Sequence, residues 1–163
     1  MSDINIVFTR VDNRLVHGQV GNVWVTASGA NLILVVDDET CHDELSKSLM
    51  KMTADAVGVQ IRFFSIKKTI EIIGKAAPSQ KIFIVCKTPH VVRQLVENGI
   101  QLNDVNIGNM HFSEGKHPLS KKVYVDDADI EDLRALKNAG VNVFIQDVPG
   151  DLKTSFEWFR ILT

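Results

Sequence analysis

No stretch of the sequence approaches the roughly 18 uninterrupted apolar residues of a membrane-spanning helix, so nothing in it is expected to cross a bilayer. The first residues, Met1 to Asn5, carry neither a basic cluster nor a long apolar run, and do not read as a signal peptide. Cysteine is scarce. Cys41 and Cys86 lie far apart with no C-x-x-C, which suggests free thiols in a reducing cytoplasm, both buried as small apolar residues. Excess charge is also missing: the net value of -2 gives no bulk attraction to nucleic acid or to anionic membranes, so any anion site must be a local cluster. Neither G-x-G-x-x-G nor G-x-x-x-x-G-K-S/T occurs, which argues against a nucleotide-binding module. No linker, repeat or low-complexity segment divides the chain.

What is present is an ordinary globular composition, 45% hydrophobic and 23% charged, over 163 residues. That length suits one domain able to bury roughly 70% of the surface its unfolded chain exposes. Strand signals at 4–9, 31–36, 59–64, 81–86, 104–108 and 141–145 alternate with helical patterns, and 123–125 reads as a short extra strand. The helix after Asp37-Asp38 is expected to take those carboxylates as caps and to bury Leu45, Leu49, Met52 and Ala56. Ser65 reads as the cap of the next helix, and Thr88-Pro89 opens another with the hydroxyl as cap. Residues 109–122, with His111 and His117, read as one long polar loop, and Thr154-x-x-Glu157 as a capping box opening a terminal helix. Strands alternating with helices of about 10–15 residues imply right-handed crossovers and a single three-layer α/β/α domain with a mostly parallel sheet of about six or seven strands. Strand order is not readable from this pattern.

The densest chemistry lies in the first strand-to-helix loop. Arg10, Asp12, Arg14 and His17 fall within eight residues, at the sheet edge where such folds gather their functional groups. A histidine just before a helix stands beside unsatisfied backbone N–H groups and the positive end of the helix dipole, an environment suited to phosphate. Arg14 or Arg10 could clamp phosphate oxygens through a planar fork, and Asp12 could hold an arginine or the imidazole. Gly18 leaves room for close approach, and Gln19, Ser65, Lys87 and Thr88 are further phosphate- or partner-binding candidates on this edge. The ordinary alternatives are a surface histidine, arginines paired with Asp12, and helix caps at Asp37-Asp38 and Thr88.

The run RVDNRLVHGQV at 10–20 resembles the active-site segment of IIB components of the bacterial phosphoenolpyruvate-dependent sugar phosphotransferase system, in its mannose/fructose/sorbose superfamily. NLILVVDDE, VCKTP, NIGNMH and QDVPGD extend the similarity, VCKTP and NIGNMH being most like the N-acetylgalactosamine and galactosamine branch. Asn13 departs from the acidic residue many members carry there, so no catalytic role is assigned to it. The resemblance implies a cytoplasmic phosphocarrier. His17 would accept a phosphoryl group on Nδ1 from a phosphohistidine of a IIA component and pass it to a sugar held by membrane-embedded IIC and IID, with no nucleotide, metal or other cofactor. Arg10, Asp12 and Arg14 match the family's flanking residues.

These readings carry further expectations. His17 should be convex and exposed, and Arg10, Arg14 and Lys87 should make the edge locally electropositive. Asp12 is expected to pair with an arginine instead of the ring, so that the His17 pKa falls below its unfolded value, near about 6.5. The competing functions are a receiver-like domain, with Asp37-Asp38 and Lys87 as its acidic pair and lysine, and a non-catalytic interaction module using loop 109–122.

Overall fold

The computed structural model describes residues 4–155. Its strands and helices follow one another as β1 (Asn5–Asp12), α1 (Gly18–Ser28), β2 (Leu32–Val36), α2 (Glu44–Ala56), β3 (Gln60–Phe64), α3 (Ile66–Ile72), β4 (Lys81–Cys86) and α4 (Pro89–Glu97). After these come β5 (Asp104–Asn109), β6 (His117–Ser120), β7 (Val123–Val125), α5 (Asp127–Asn138), β8 (Asn142–Ile145) and β9 (Thr154–Ser155). Seven strands form the main sheet in the order β3-β2-β4-β1-β5-β8-β9, parallel except where β9 runs against β8.

The apolar strands explain the layering. Every residue of β2 (LILVV) is buried, as expected where helices cover both faces of a parallel sheet. Because successive side chains point to opposite faces, Ile33 and Val35 join Trp24, Val25, Met50 and Ala54 beneath α1 and α2. Leu34 and Val36 join Val92, Leu95, Leu133 and Leu136 beneath α4 and α5. β1 lies between β4 and β5, so the loops that flank its C-terminal end are those after β4 and β5.

Several local expectations are corrected. α2 buries Met50 and Ala54, while Leu45, Leu49, Met52 and Ala56 are exposed, because it is the Met50–Ala54 stripe that packs with Ile33, Val35 and Ile61. Asp43, not Asp37 or Asp38, caps α2 by accepting from the Ser46 amide. Asp37 accepts from the Thr40 amide and hydroxyl where the preceding 3-10 turn begins, and Asp38 accepts from the Ile66 amide. Ser65 does cap α3, but the Thr88 hydroxyl makes no capping bond at α4. Residues 109–122 are not all loop: β6 pairs antiparallel with β7, and Met110 exchanges backbone bonds with Lys122 and Tyr124. The β6 segment, HPLS, is too short and too proline-interrupted to show alternation. Thr154 is in β9 rather than at a helix N-cap, and Glu157 lies outside the described residues. Cys86 is buried, but Cys41 is only half-buried, its thiol donating to the Asp38 carbonyl.

These packing assignments are testable by denaturant unfolding. Ile84→Ala, at a fully buried position, is expected to cost about 2–5 kcal/mol, and Leu49→Ala to stay within about 0.5 kcal/mol. Equal losses would put α2 in the orientation its apolar spacing suggested.

Candidate active site

Three side chains, those of Arg10, His17 and Asn109, converge on one carboxylate at the end of β1. Asp12 is the last residue of β1 and is fully buried. Its Oδ2 accepts from Arg10 Nε and NH2, both at 3.3 Å, from Asn109 Nδ2 at 3.0 Å, and is bonded to His17 Nε2 at 3.1 Å. Its Oδ1 accepts from the Arg14 amide at 2.9 Å and its carbonyl from the Leu15 amide at 2.9 Å, closing a tight turn. Leu15 sits at φ 58 in that turn, a conformation strained for a leucine; with Val16, it is held by burial against Trp24, Val25 and Val85. The chain then reaches His17 in an extended conformation at the N-cap of α1, with its ring free of any capping bond.

Electrostatics follow from these contacts. Burial pushes the Asp12 carboxyl up, but the bonds from His17, Asn109 and the Arg14 amide, with the charge of Arg10, outweigh it and hold the group below the usual carboxylate range. Burial lowers the Arg10 guanidinium from its ordinary value, with Asp12 as the main offset. Arg10 is enclosed: NH1 donates to Asn106 Oδ1 at 2.6 Å and to the Gln146 carbonyl at 3.1 Å, and the Trp24 ring lies 5.3 Å away.

The structure sorts the sequence candidates. Arg10, Asp12 and His17 are brought together; Arg14 is beside them and exposed, its guanidinium without a bond among the described residues. Arg10 cannot clamp a surface phosphate, because it is 3% exposed and spent on buried partners. Asp12 bonds both an arginine and the ring, so the premise that it turns to the arginine instead is wrong. The His17 side chain is 19% exposed, half-sunk by its reach to a buried carboxylate rather than convex. Lys87 lies on the neighbouring strand end but faces Asp37 at 3.5 Å, so three free cations do not gather on the edge. Thr88, at the N-cap of α4, belongs to the same neighbouring loop. Ser65 follows β3, three strands from β1, and its hydroxyl is used on Lys68; it is not part of this site. Gly18 opens α1 at φ 36, and Gln19 follows it, its side chain outside the described set. A receiver-like site at Asp37-Asp38 loses its acidic pair, since each carboxylate is taken up by a backbone amide, that of Thr40 or Ile66.

Sequence reasoning missed the residues that hold the loop. Asn13 donates to the Lys87 carbonyl at 3.0 Å and accepts from the His111 amide, tying the loop to both neighbouring strand ends. Asn106 and Asn109 in β5 brace Arg10 and Asp12. Two asparagines in an otherwise apolar buried strand were a legible signal, because a buried amide needs partners.

The depressed Asp12 pKa sets a pH dependence. Its stabilisation is full above the unfolded value near about 3.9 and is lost as pH falls through the lower folded value. The Tm gap between wild type and Asp12→Asn is therefore expected to be largest near neutrality and to shrink only below about pH 4. A gap that is unchanged in acid would show that the ionised carboxylate contributes nothing.

Comparison with known proteins bears on the chain as a whole. Residues 6–162 match the family model of the PTS system sorbose subfamily IIB component. The chain is 63% identical over 153 residues to N-acetylgalactosamine-specific phosphotransferase enzyme IIB component 1 of Escherichia coli, covering 94% of this chain and 97% of that relative. The crystal structure of that component superposes with a TM-score of 0.90 at 64% identity, covering 91% of this chain and 97% of the other. The IIB domain of the sorbose permease from Klebsiella pneumoniae also gives a TM-score of 0.90, at 29% identity and 98% coverage of both chains. With a sheet architecture and a sequence match over residues 6–162 that agree, the chain belongs to the sorbose-subfamily IIB components of the phosphotransferase system, a family of phosphotransferases.

Proposed function

We propose that this chain is an N-acetylgalactosamine-specific IIB phosphocarrier in which His17 Nδ1 is the phosphoryl acceptor. The observation that carries the reading is the 3.1 Å contact of His17 Nε2 with buried Asp12, which leaves Nδ1 as the ring nitrogen without a partner among the described residues. With the ring proton on Nε2 and directed at the carboxylate, the Nδ1 lone pair is available for attack. It forms a bond to phosphorus as the P–N bond of the donor phosphohistidine breaks and that electron pair returns to the donor ring. The positive charge that develops on the His17 ring faces an ionised Asp12, which stabilises it. In the second transfer a sugar hydroxyl attacks phosphorus, the hydroxyl proton leaves to base, and the His17–phosphorus bond breaks to regenerate neutral imidazole.

Arg14 and the backbone N–H groups opening α1 at Gly18 and Gln19 are suited to the phosphoryl oxygens. Lys87 and Thr88 can add to this surface from the loop after β4. The donor is a IIA component and the recipient a sugar held by IIC and IID at the cytoplasmic face of the membrane; among the described residues no helix is long and apolar enough to cross it. The sugar assignment is supported by the relative of 63% identity that is named for N-acetylgalactosamine.

Incubation with radiolabelled phosphoenolpyruvate, the general phosphotransferase proteins and candidate IIA domains is expected to label wild type. His17→Gln should take up no label and keep the wild-type fold. The label should be lost in acid and survive alkali; the reverse pattern indicates an acyl phosphate and overturns the reading. Arg14→Lys keeps the charge but loses the fork, and is expected to slow transfer about tenfold, about 1.4 kcal/mol of barrier, with donor half-saturation little changed. Equal single-turnover rates would remove Arg14 from the transition state.

A further inference from the structure

We propose that Asn106 and Gly108 on β5 are positioning residues for phosphoryl transfer: they seat the Arg10 guanidinium, and through it the Asp12 carboxylate that aims the His17 ring. The inference rests on the reading of His17 as the acceptor and adds a layer of control on a strand that does not touch the reacting atoms.

Gly108 carries the geometric case. A glycine inside a central strand forfeits side-chain packing and costs backbone entropy, so its presence calls for a cause. Backbone conformation is not that cause, since Gly108 is absent from the positive-φ glycines and lies in ordinary extended β5. Space is the cause. A Cβ built at Gly108 would fall within bonding distance of the Arg10 guanidinium carbon, with both terminal nitrogens close by. The guanidinium therefore lies flat against the β5 backbone, and no other residue at 108 leaves room for it.

The head group has nowhere else to go at low cost. It donates to Asn106 Oδ1 at 2.6 Å and the Gln146 carbonyl at 3.1 Å on one side and to Asp12 Oδ2 on the other. Asn106 is itself fixed, fully buried and donating through Nδ2 to the same Gln146 carbonyl at 3.0 Å. A side chain at 108 would have to tear these bonds to move the fork aside. Asp12, itself buried, would then lose two of its donors, and its hold on His17 Nε2 would loosen. The ring would sample the tautomer with its proton on Nδ1, where the lone pair needed for attack is blocked.

The test is single-turnover phosphoryl transfer from a labelled IIA domain, paired with nitrogen NMR of the His17 ring in the full chain. Wild type is expected to show the Nε2–H form alone. Gly108→Ala is expected to slow transfer by about 10–100-fold, with donor half-saturation unchanged, and to add a population with the proton on Nδ1. Arg10→Lys removes the planar head that a Cβ at 108 would strike, so Gly108→Ala should add no further loss in that background. Asn106→Leu, with the same readouts, carries the test if Gly108→Ala does not fold. A Gly108→Ala or Asn106→Leu protein that transfers at the wild-type rate, or effects of Gly108→Ala and Arg10→Lys that multiply as independent sites, overturns the proposal. Wild type that takes its label elsewhere than His17 would instead sink the reading on which the proposal rests.

Discussion

One oxygen atom organises the site. Asp12 Oδ2 receives Arg10, Asn109 and His17, and the ionised carboxylate persists in a buried setting only because these bonds outweigh the cost of desolvation. Take away any of them and a buried charge is left undersatisfied. The same atom decides which ring nitrogen of His17 is free. Stability and chemistry are therefore coupled: what keeps the carboxylate tolerable in the fold also keeps Nδ1 bare.

Strand order gives this arrangement its partners. β1 sits between β4 and β5, and both neighbours contribute: the Lys87 carbonyl after β4 receives Asn13, and β5 supplies Asn106, Gly108 and Asn109. Beneath the loop, the hollow lined by Arg10, Asp12, Leu15, Val16 and Trp24 measures about 20 Å³, room for about one water. The loop is thus braced from both sides and from below, and presents a half-exposed histidine at a surface rather than in a substrate pocket.

Legibility from the sequence followed the range of the interactions. The first loop was readable because its determinants are local: an apolar strand, a polar turn, then a helix opening at Gly18. The face of α2 was misread because Leu45, Leu49 and Met52 satisfy helical periodicity, whereas packing against a particular pair of strands selected Met50 and Ala54. Arg10 was misjudged in kind. Its charge suggested phosphate, but a central strand end buried on both faces and the bare backbone of Gly108 take it inside.

By itself, the sequence determined the α/β alternation, the position of the histidine at a strand-to-helix junction and, through RVDNRLVHGQV, the kinship with phosphotransferase IIB components. These are properties of residues near one another in the chain, where periodicity and capping act. Tertiary structure alone decided that β5 lies beside β1, that Ser65 is three strands removed, and that Asp12 holds the arginine and the histidine at once. The reason is that pairing among parallel strands is set by competition for burial across the whole sheet. Residues 96 or 97 positions apart, Arg10 with Asn106 and Asp12 with Asn109, meet only once that competition is settled.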